Sequence, residues 1–277
     1  MAQLVDFSQI VIGSYMMAAK FSDASIDTVR PAVLNALRIY RTKFVGEYGE
    51  LILCCDDRKT WRKDIFPNYK ASRKKSRAAT SIDWENLYVC LNQLKEELTE
   101  WFPYKLIQVE NAEADDIIAV LVRLANERTL ILSSDKDFVQ LHAFNVRQYS
   151  PMQKKFVEGD AKWSLHEKII KGDVGDGVPN IMSDDNVFVD EGRRQKPITK
   201  KKVDAWYEID PDMYCSSEML RNFNRNKQLV DLSEVPESIC INITKQFETV
   251  AVGDRKRLLT YFINHRLKNL TESLSEF

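Results

Sequence analysis

The 277-residue sequence predicts an α/β fold with a mostly parallel, twisted sheet flanked by helices. Two observations carry that prediction. Four short apolar runs alternate with longer stretches of helical periodicity, the pattern of crossover units in a parallel sheet. Each run is also followed within a few residues by a carboxylate, at the edge where open parallel sheets bind ligands.

The first run is Gln3-Leu4-Val5, ending at Asp6-Phe7-Ser8, and a helical pattern follows over 26–48. Leu51 to Cys55 is the second run, ending at Asp56, and helical spacing returns over 83–101. The third, Lys105 to Val109, leads into Glu113 and the pattern over 113–127. Its apolar residues Ala114, Ile117, Ile118, Leu121 and Val122 mark a buried face, with Asn111 as the expected N-cap. The fourth, Thr129 to Ser133, leads into Asp135 and Asp137. A hairpin or strand pair is expected over 145–157 around Pro151, then a glycine-rich turn carrying Asp173 and Asp176. Residues 181–200 read as polar and irregular, and helices are expected near 199–208, 212–228, 236–248 and 254–274.

One acid at a strand end is ordinarily a turn former or a helix cap. Four such junctions point instead to a shared site built from Asp6, Asp56, Glu113, Asp115, Asp135 and Asp137. Carboxylates a few ångströms apart raise one another's pKa, and burial adds to the cost of ionising them. Hard divalent cations with oxygen ligands relieve that repulsion, which makes Mg²⁺ the expected occupant. More acids than one such ion needs point to two metals about 4 Å apart, suited to displacement at a phosphate.

Charge distribution says more than the net value of −1. From Arg58 to Arg77 nine residues are Lys or Arg against a single acid, Asp64, with Trp61, Phe66 and Tyr69 among them. Such a segment reads as a substrate gate, its cations on phosphates and its aromatics against bases. A second basic patch places six cations among the ten residues Arg193 to Lys202. A polyanion partner is therefore compatible with a pI near 6.4. The five cysteines lack CxxC spacing and the three histidines are scattered, against a disulfide framework or zinc centre. No apolar run is long enough for a bilayer, and the first residues do not read as a signal peptide, so a cytoplasmic protein is expected.

The motifs LVDFSQ (4–9), LCCDD (53–57), YKASR (69–73), EADD (113–116), SSDKDFVQL (133–141), YSPMQKKFV (149–157) and KGDVGDGVPN (171–180) together resemble the structure-specific 5′-nuclease (flap endonuclease) family. NRNKQLVDLSEVPESI (224–239) and LTESLSEF (270–277) extend the likeness, closest to the T-even bacteriophage branch, over the whole chain. The resemblance implies a PIN-like catalytic core over 1–180, with a helical arch at about 57–82. A duplex-binding helical region with a modified helix–turn–helix would follow over 181–277. It implies Asp6, Asp56, Glu113 and Asp115 around one Mg²⁺, and Asp135, Asp137 and Asp176 around another, with Asp173 and Asp116 nearby and Mn²⁺ able to substitute. Lys70 and Arg73, and less securely Arg62, match cations that hold the scissile phosphate, beside Lys74, Lys75 and Arg77. The glycine-rich hairpin that often follows GDxGD in the family is missing here. Arg193, Arg194, Lys200, Lys201 and Lys202 are expected to hold the duplex instead.

The implied activity is a Mg²⁺-dependent 5′-to-3′ nuclease acting on DNA and RNA–DNA hybrids with 5′ ends or flaps. It would remove primers during lagging-strand replication, as a monomer, off the membrane, with a single-strand-binding protein and a sliding clamp as partners. Two alternatives stand beside it. A PIN-type ribonuclease would share the sheet and acids but not the basic insertion or GDVGD. A non-catalytic junction-binding protein would keep the fold without needing every acid.

Overall fold

The computed structural model describes residues 2–21, 24–125 and 127–277. Strands β1 (Ala2–Asp6), β2 (Leu51–Cys54), β3 (Lys105–Ile107), β4 (Thr129–Leu132), β5 (Val146–Ser150) and β6 (Lys155–Val157) form one sheet. Its order is β3-β2-β1-β4-β5-β6. The first five strands are parallel, and β6 returns antiparallel to β5 as the expected hairpin. Val5 lies opposite Leu53 on one side and Leu132 on the other. The three central strands therefore end level, and their following acids share one edge.

Helices come in chain order as α1 (Phe7–Phe21), α2 (Ile26–Tyr48), α3 (Arg62–Ile65), α4 (Ser72–Ala78), α5 (Trp84–Trp101) and α6 (Ala114–Leu124). They continue as α7 (Ala161–Lys171), α8 (Lys200–Trp206), α9 (Ser217–Val230), α10 (Glu237–Thr249), α11 (Leu258–Asn264) and α12 (Lys268–Thr271). Strand residues alternate between two cores, as a pleat requires. Val5, Leu51, Leu53, Leu130 and Leu132 pack with α1, α2, α5 and the C-terminal helices. Leu4, Ile52, Ile107 and Ile131 face α6 and α10 on the other side.

Three elements depart from the sequence reading. α1 was not anticipated; it follows β1 without a linker, and Gly13, Ser14 and a weak polar face blur its period. Asn111 is not the N-cap of α6. It has φ 61° and donates its backbone N–H to Asp57, while Glu113 caps the helix in a capping box with Asp116. The expected terminal helix is broken after α11 by Arg266 at φ 55°. Leu267 N–H bonds to Phe262 C=O at 2.8 Å and Arg266 N–H to Ile263 C=O at 3.1 Å, the paired bonds of a Schellman turn. That reversal carries Leu267, Leu270 and Phe277 back into the core against Phe102 and Phe262.

Candidate active site

Every strand-end acid reaches the same edge, and local hydrogen bonds fix most of them. Asp6 closes β1 and accepts from the Ser133 hydroxyl at 3.0 Å and from the Gln9 N–H at 3.3 Å. Asp56 follows β2 and accepts from the Ala114 N–H at 2.9 Å and the Ser8 hydroxyl at 2.6 Å. Its carboxylate thus lies at the N-terminus of α6, where the helix dipole favours negative charge. Asp135 caps a short 3₁₀ turn by accepting from the Asp137 N–H at 2.9 Å. The Gln148 amide steadies that junction by donating to the carbonyls of Ser133 (2.9 Å) and Asp135 (2.6 Å).

Crowding is written into the proton affinities. Burial, followed by the nearby charge of Asp56, pushes the Asp6 carboxyl up to about 7. Burial, then Asp135 and Asp6, pushes Asp115 well above the usual carboxylate range. Asp137 is raised by burial to about 6 even though Lys168 lies beside it. Among the described residues Asp6, Asp56, Asp115 and Asp135 have no lysine or arginine in ion-pair distance, unlike Glu113, Asp137, Asp173 and Asp176. Four neighbouring acids with no ion-pair partner among the described residues, all offering oxygen, suit a hard divalent cation. Among the described residues no three acidic, histidine or cysteine side chains stand in coordinating geometry.

The basic insertion packs over this edge. Lys70 adopts φ 58°, a conformation uncommon outside glycine, and its N–H is held by the Asp176 carbonyl at 2.7 Å. Gly177, at φ 71°, lets the two chains meet: a Cβ there would stand 3.2 Å from the Asn68 carbonyl. The Lys70 ammonium pairs with Glu113 and lies 3.6 Å from Asp176, while the Arg73 guanidinium pairs with Asp176. Burial opposes ionisation of Asp176, but Lys70 and Arg73 more than compensate and hold it below the ordinary range. Tyr69 places its hydroxyl 3.0 Å from Glu113 Oε2 and 2.8 Å from Asp176 Oδ2, bridging two acids distant in sequence. The Lys168 ammonium, on α7, lies 2.6 Å from Asp137 and 2.5 Å from Asp173.

Two expected site residues turn inward. Asp116 is fully buried: its Oδ2 accepts from Trp61 Nε1 (3.1 Å), Arg62 Nη1 (3.0 Å) and the Glu113 N–H (2.9 Å), and its Oδ1 from Arg62 Nη2 (2.7 Å). Both of its oxygens are thus engaged by donors of the protein itself. Arg62, expected to meet a phosphate, spends its other donors on Glu113 (3.0 Å) and the Leu229 carbonyl (2.8 Å) and is equally buried. The aromatics expected to meet bases follow the same correction. Trp61, Phe66 and Tyr69 are all buried, because the insertion docks on α6 and α9 instead of lying open.

The remaining cations do face outward. Lys74 and Lys75 are exposed on α4, Lys75 lying 3.5 Å from Glu191, and Arg77 stacks over Trp84 and Tyr88. Arg193 is paired with Asp184 and Asp190. Arg194, Lys200, Lys201 and Lys202 are exposed, the three lysines forming the first turn of α8 behind the Thr199 cap. Sequence reasoning missed Lys168, Tyr69's bridging role, and the orienting hydroxyls Ser8 and Ser133, although both serines lie inside the acidic motifs. An apolar cavity of about 470 Å³ at the opposite edge, between Leu51, Leu121 and Phe247, shares no residue with the acids.

A parallel sheet whose strand ends gather acids beneath a basic insertion is the arrangement of a phosphodiesterase. The chain belongs to the 5′-3′ exonuclease family: the model of its N-terminal resolvase-like domain matches residues 2–169, so the protein is a nuclease. A second family model, the C-terminal region of T4 RNase H, matches residues 159–277. Ribonuclease H of Enterobacteria phage T4 is 33% identical over 99% of this chain and 95% of its own length. Flap endonuclease Xni of Shewanella sp. (strain MR-4) is 29% identical over 57% of this chain and 60% of its own. In fold, the chain resembles the phage T5 D15 flap endonuclease (D155K) in complex with DNA and metal ions, with TM-score 0.66 and 17% identity over 90% of this chain and 98% of that one.

Proposed function

We propose that the protein is a Mg²⁺-dependent 5′-to-3′ nuclease with ribonuclease H and flap endonuclease activity, removing RNA primers and adjacent DNA during lagging-strand replication. The observation that carries this is that Asp6, Asp56, Asp115 and Asp135, with no lysine or arginine in ion-pair distance among the described residues, lie beside two arch cations that reach into the same edge. Asp6, Asp56, Glu113 and Asp115 would hold one ion and Asp135, Asp137, Asp173 and Asp176 another. Divalent ions bound there would supply Lewis-acid stabilisation at the phosphate and a more acidic water.

The chain's own residues do the rest. Lys70 and Arg73, now satisfied by Glu113 and Asp176, are positioned to exchange those partners for the scissile phosphate as charge builds on it. Ser8 and Ser133 keep Asp56 and Asp6 aimed at the edge. The buried Arg62–Asp116 pair fixes the start of α6 and, with it, Glu113 and Asp115. Residues 1–180 form the catalytic unit in this reading and 181–277 the duplex-holding one. Three lysines at the start of α8 oppose its dipole, an arrangement that bound phosphates would relieve. Replacing Lys200, Lys201 and Lys202 by Ala is expected to weaken duplex binding and to flatten its log–log salt slope by up to about 3. A replication setting would add a sliding clamp and a single-strand-binding protein as partners.

The test is cleavage of a 5′-labelled RNA–DNA hybrid and of a 5′-flap duplex, with Mg²⁺ and with chelator. Release of short products from the 5′ end, abolished by chelator, is the expected result. Cleavage that persists in chelator, or that starts from the 3′ end, overturns the reading.

A further inference from the structure

Counter-charge is distributed unevenly along the acidic edge. Asp6, Asp56, Asp115 and Asp135 have no cation in ion-pair distance among the described residues, whereas Asp137 and Asp173 share one, the Lys168 ammonium, at 2.6 and 2.5 Å. Lys168 comes from α7, which packs against the 3₁₀ turn carrying Asp137 and leads directly into the turn carrying Asp173. Among the described residues no cation of the insertion lies in ion-pair distance of these two acids: Lys70 and Arg73 are directed at Glu113 and Asp176.

We propose that Lys168 is a tethered cation that fills the position between Asp137 and Asp173 until a divalent ion displaces it, and so sets how tightly the ion assigned to Asp135, Asp137, Asp173 and Asp176 binds. That ion is here termed the outer ion, the ion of Asp6, Asp56, Glu113 and Asp115 being the inner. The inference rests on the reading of these acids as metal ligands. An ammonium hydrogen-bonded to one oxygen of each acid occupies the lone pairs an incoming ion needs, and its charge repels that ion at short range. The side chain can yield: it is 25% exposed, and four methylenes let its head swing to solvent without moving α7. Of the acids read as holding the inner ion, Asp6, Asp56 and Asp115 have no lysine or arginine in ion-pair distance among the described residues, and only Glu113 is paired, with Lys70 and Arg62. The two ions should therefore enter at different concentrations, the inner first.

Calorimetric titration of Mg²⁺ into the full chain without nucleic acid reads this directly. Wild type is expected to show a tighter and a weaker class of site. In Lys168→Gln the weaker class should tighten about tenfold with the tighter one unchanged. Lys168→Arg retains the charge and grips two carboxylates with a fork, so it should weaken the outer class or leave it as in wild type. A second readout is the melting midpoint in chelator, which separates a folded Gln variant from a collapsed one; the Arg variant carries the test if Gln does not fold. Unchanged or weaker outer binding in folded Lys168→Gln, or tighter outer binding in Lys168→Arg, makes Lys168 a strut that orients Asp137 and Asp173 and overturns the proposal. If no Mg²⁺ binds, or if Asp135→Asn leaves binding unaltered, the metal reading falls and this inference with it.

Discussion

The acidic edge and the shell formed by α2, α5 and the C-terminal helices handle charge in opposite ways. In the shell, buried Arg30 makes two bonds of 2.8 Å to Glu97, which also accepts from the Tyr261 hydroxyl at 2.6 Å. Burial disfavours the Glu97 charge, yet Arg30 and Tyr261 overcome it and lower its pKa. Arg41 grips Glu50 through two bonds of 2.6 Å and the Glu276 carbonyl at 3.0 Å. At the edge, Asp6 and Asp137 are instead raised to about 7 and about 6. The shell is neutralised by its own residues, while the edge is left short of positive charge. Such imbalance costs stability and persists where a ligand supplies what is missing.

The widest separation between the regions should appear in the acids themselves. On the proposed reading, in which each carboxylate would hold or orient a metal, Asp135→Asn or Asp56→Asn is expected to cut turnover roughly a thousandfold. Duplex binding in Ca²⁺ should survive. The melting midpoint in chelator should change little, because a repelling charge is lost together with the charge on a helix or turn cap. A variant cleaving within a few-fold of wild type, or melting well below it, would make the edge another structural network.

The converse substitution belongs in the shell. Arg30→Ala strands Glu97 beside Tyr261 with its cation removed, at an expected cost of about 3 kcal/mol. Cleavage per folded molecule should be unchanged. Denaturant unfolding with a single-turnover assay at low temperature checks both halves; a rate loss without a stability loss would tie the shell to the chemistry.

Within the basic insertion a smaller contrast is expected. Lys70→Ala and Arg73→Ala should lower the rate of cleavage roughly a hundredfold with modest change in duplex affinity, because both reach the acids. Lys74→Ala and Lys75→Ala, exposed on α4, should act on affinity and its salt dependence alone. Single-turnover rates set against binding isotherms separate the two; the reverse ranking would move the scissile phosphate away from Lys70.

How far the sequence foretold this contrast depended on range. Strands announced themselves by local apolar runs, and the acids by their position after each run, so the edge was legible before any coordinates. EADD was harder, because adjacent acids on one helix start have opposite fates. Asp115 turns to the edge, while Asp116, at the third position, folds back to cap Glu113 and receive Arg62. The spacing of a capping box was present, but Arg62 is 54 residues away, and only packing joins them. Trp61, Phe66 and Tyr69 misled for the same reason: aromatics among cations look alike whether they meet bases or, as here, the underside of α6 and α9. Lys168 left no local trace, since its partners lie 31 residues before it and five after it in separate turns.

The finest way to break the comparison is pH. Glu97 has its folded pKa lowered from an ordinary 4.5, with Arg30 and Tyr261 outweighing burial. Its contribution is therefore fully present above the unfolded value and is lost as pH falls through the lower, folded one. Glu97→Gln should be less stable than wild type at pH 6, and the gap should narrow steadily below pH 4.5. Urea midpoints of both proteins from pH 6 down to well below pH 4.5 measure it. A gap that stays constant with pH would mean that Glu97 acts through shape and hydrogen bonding alone, and that the shell is not the charge-matched counterpart of the edge.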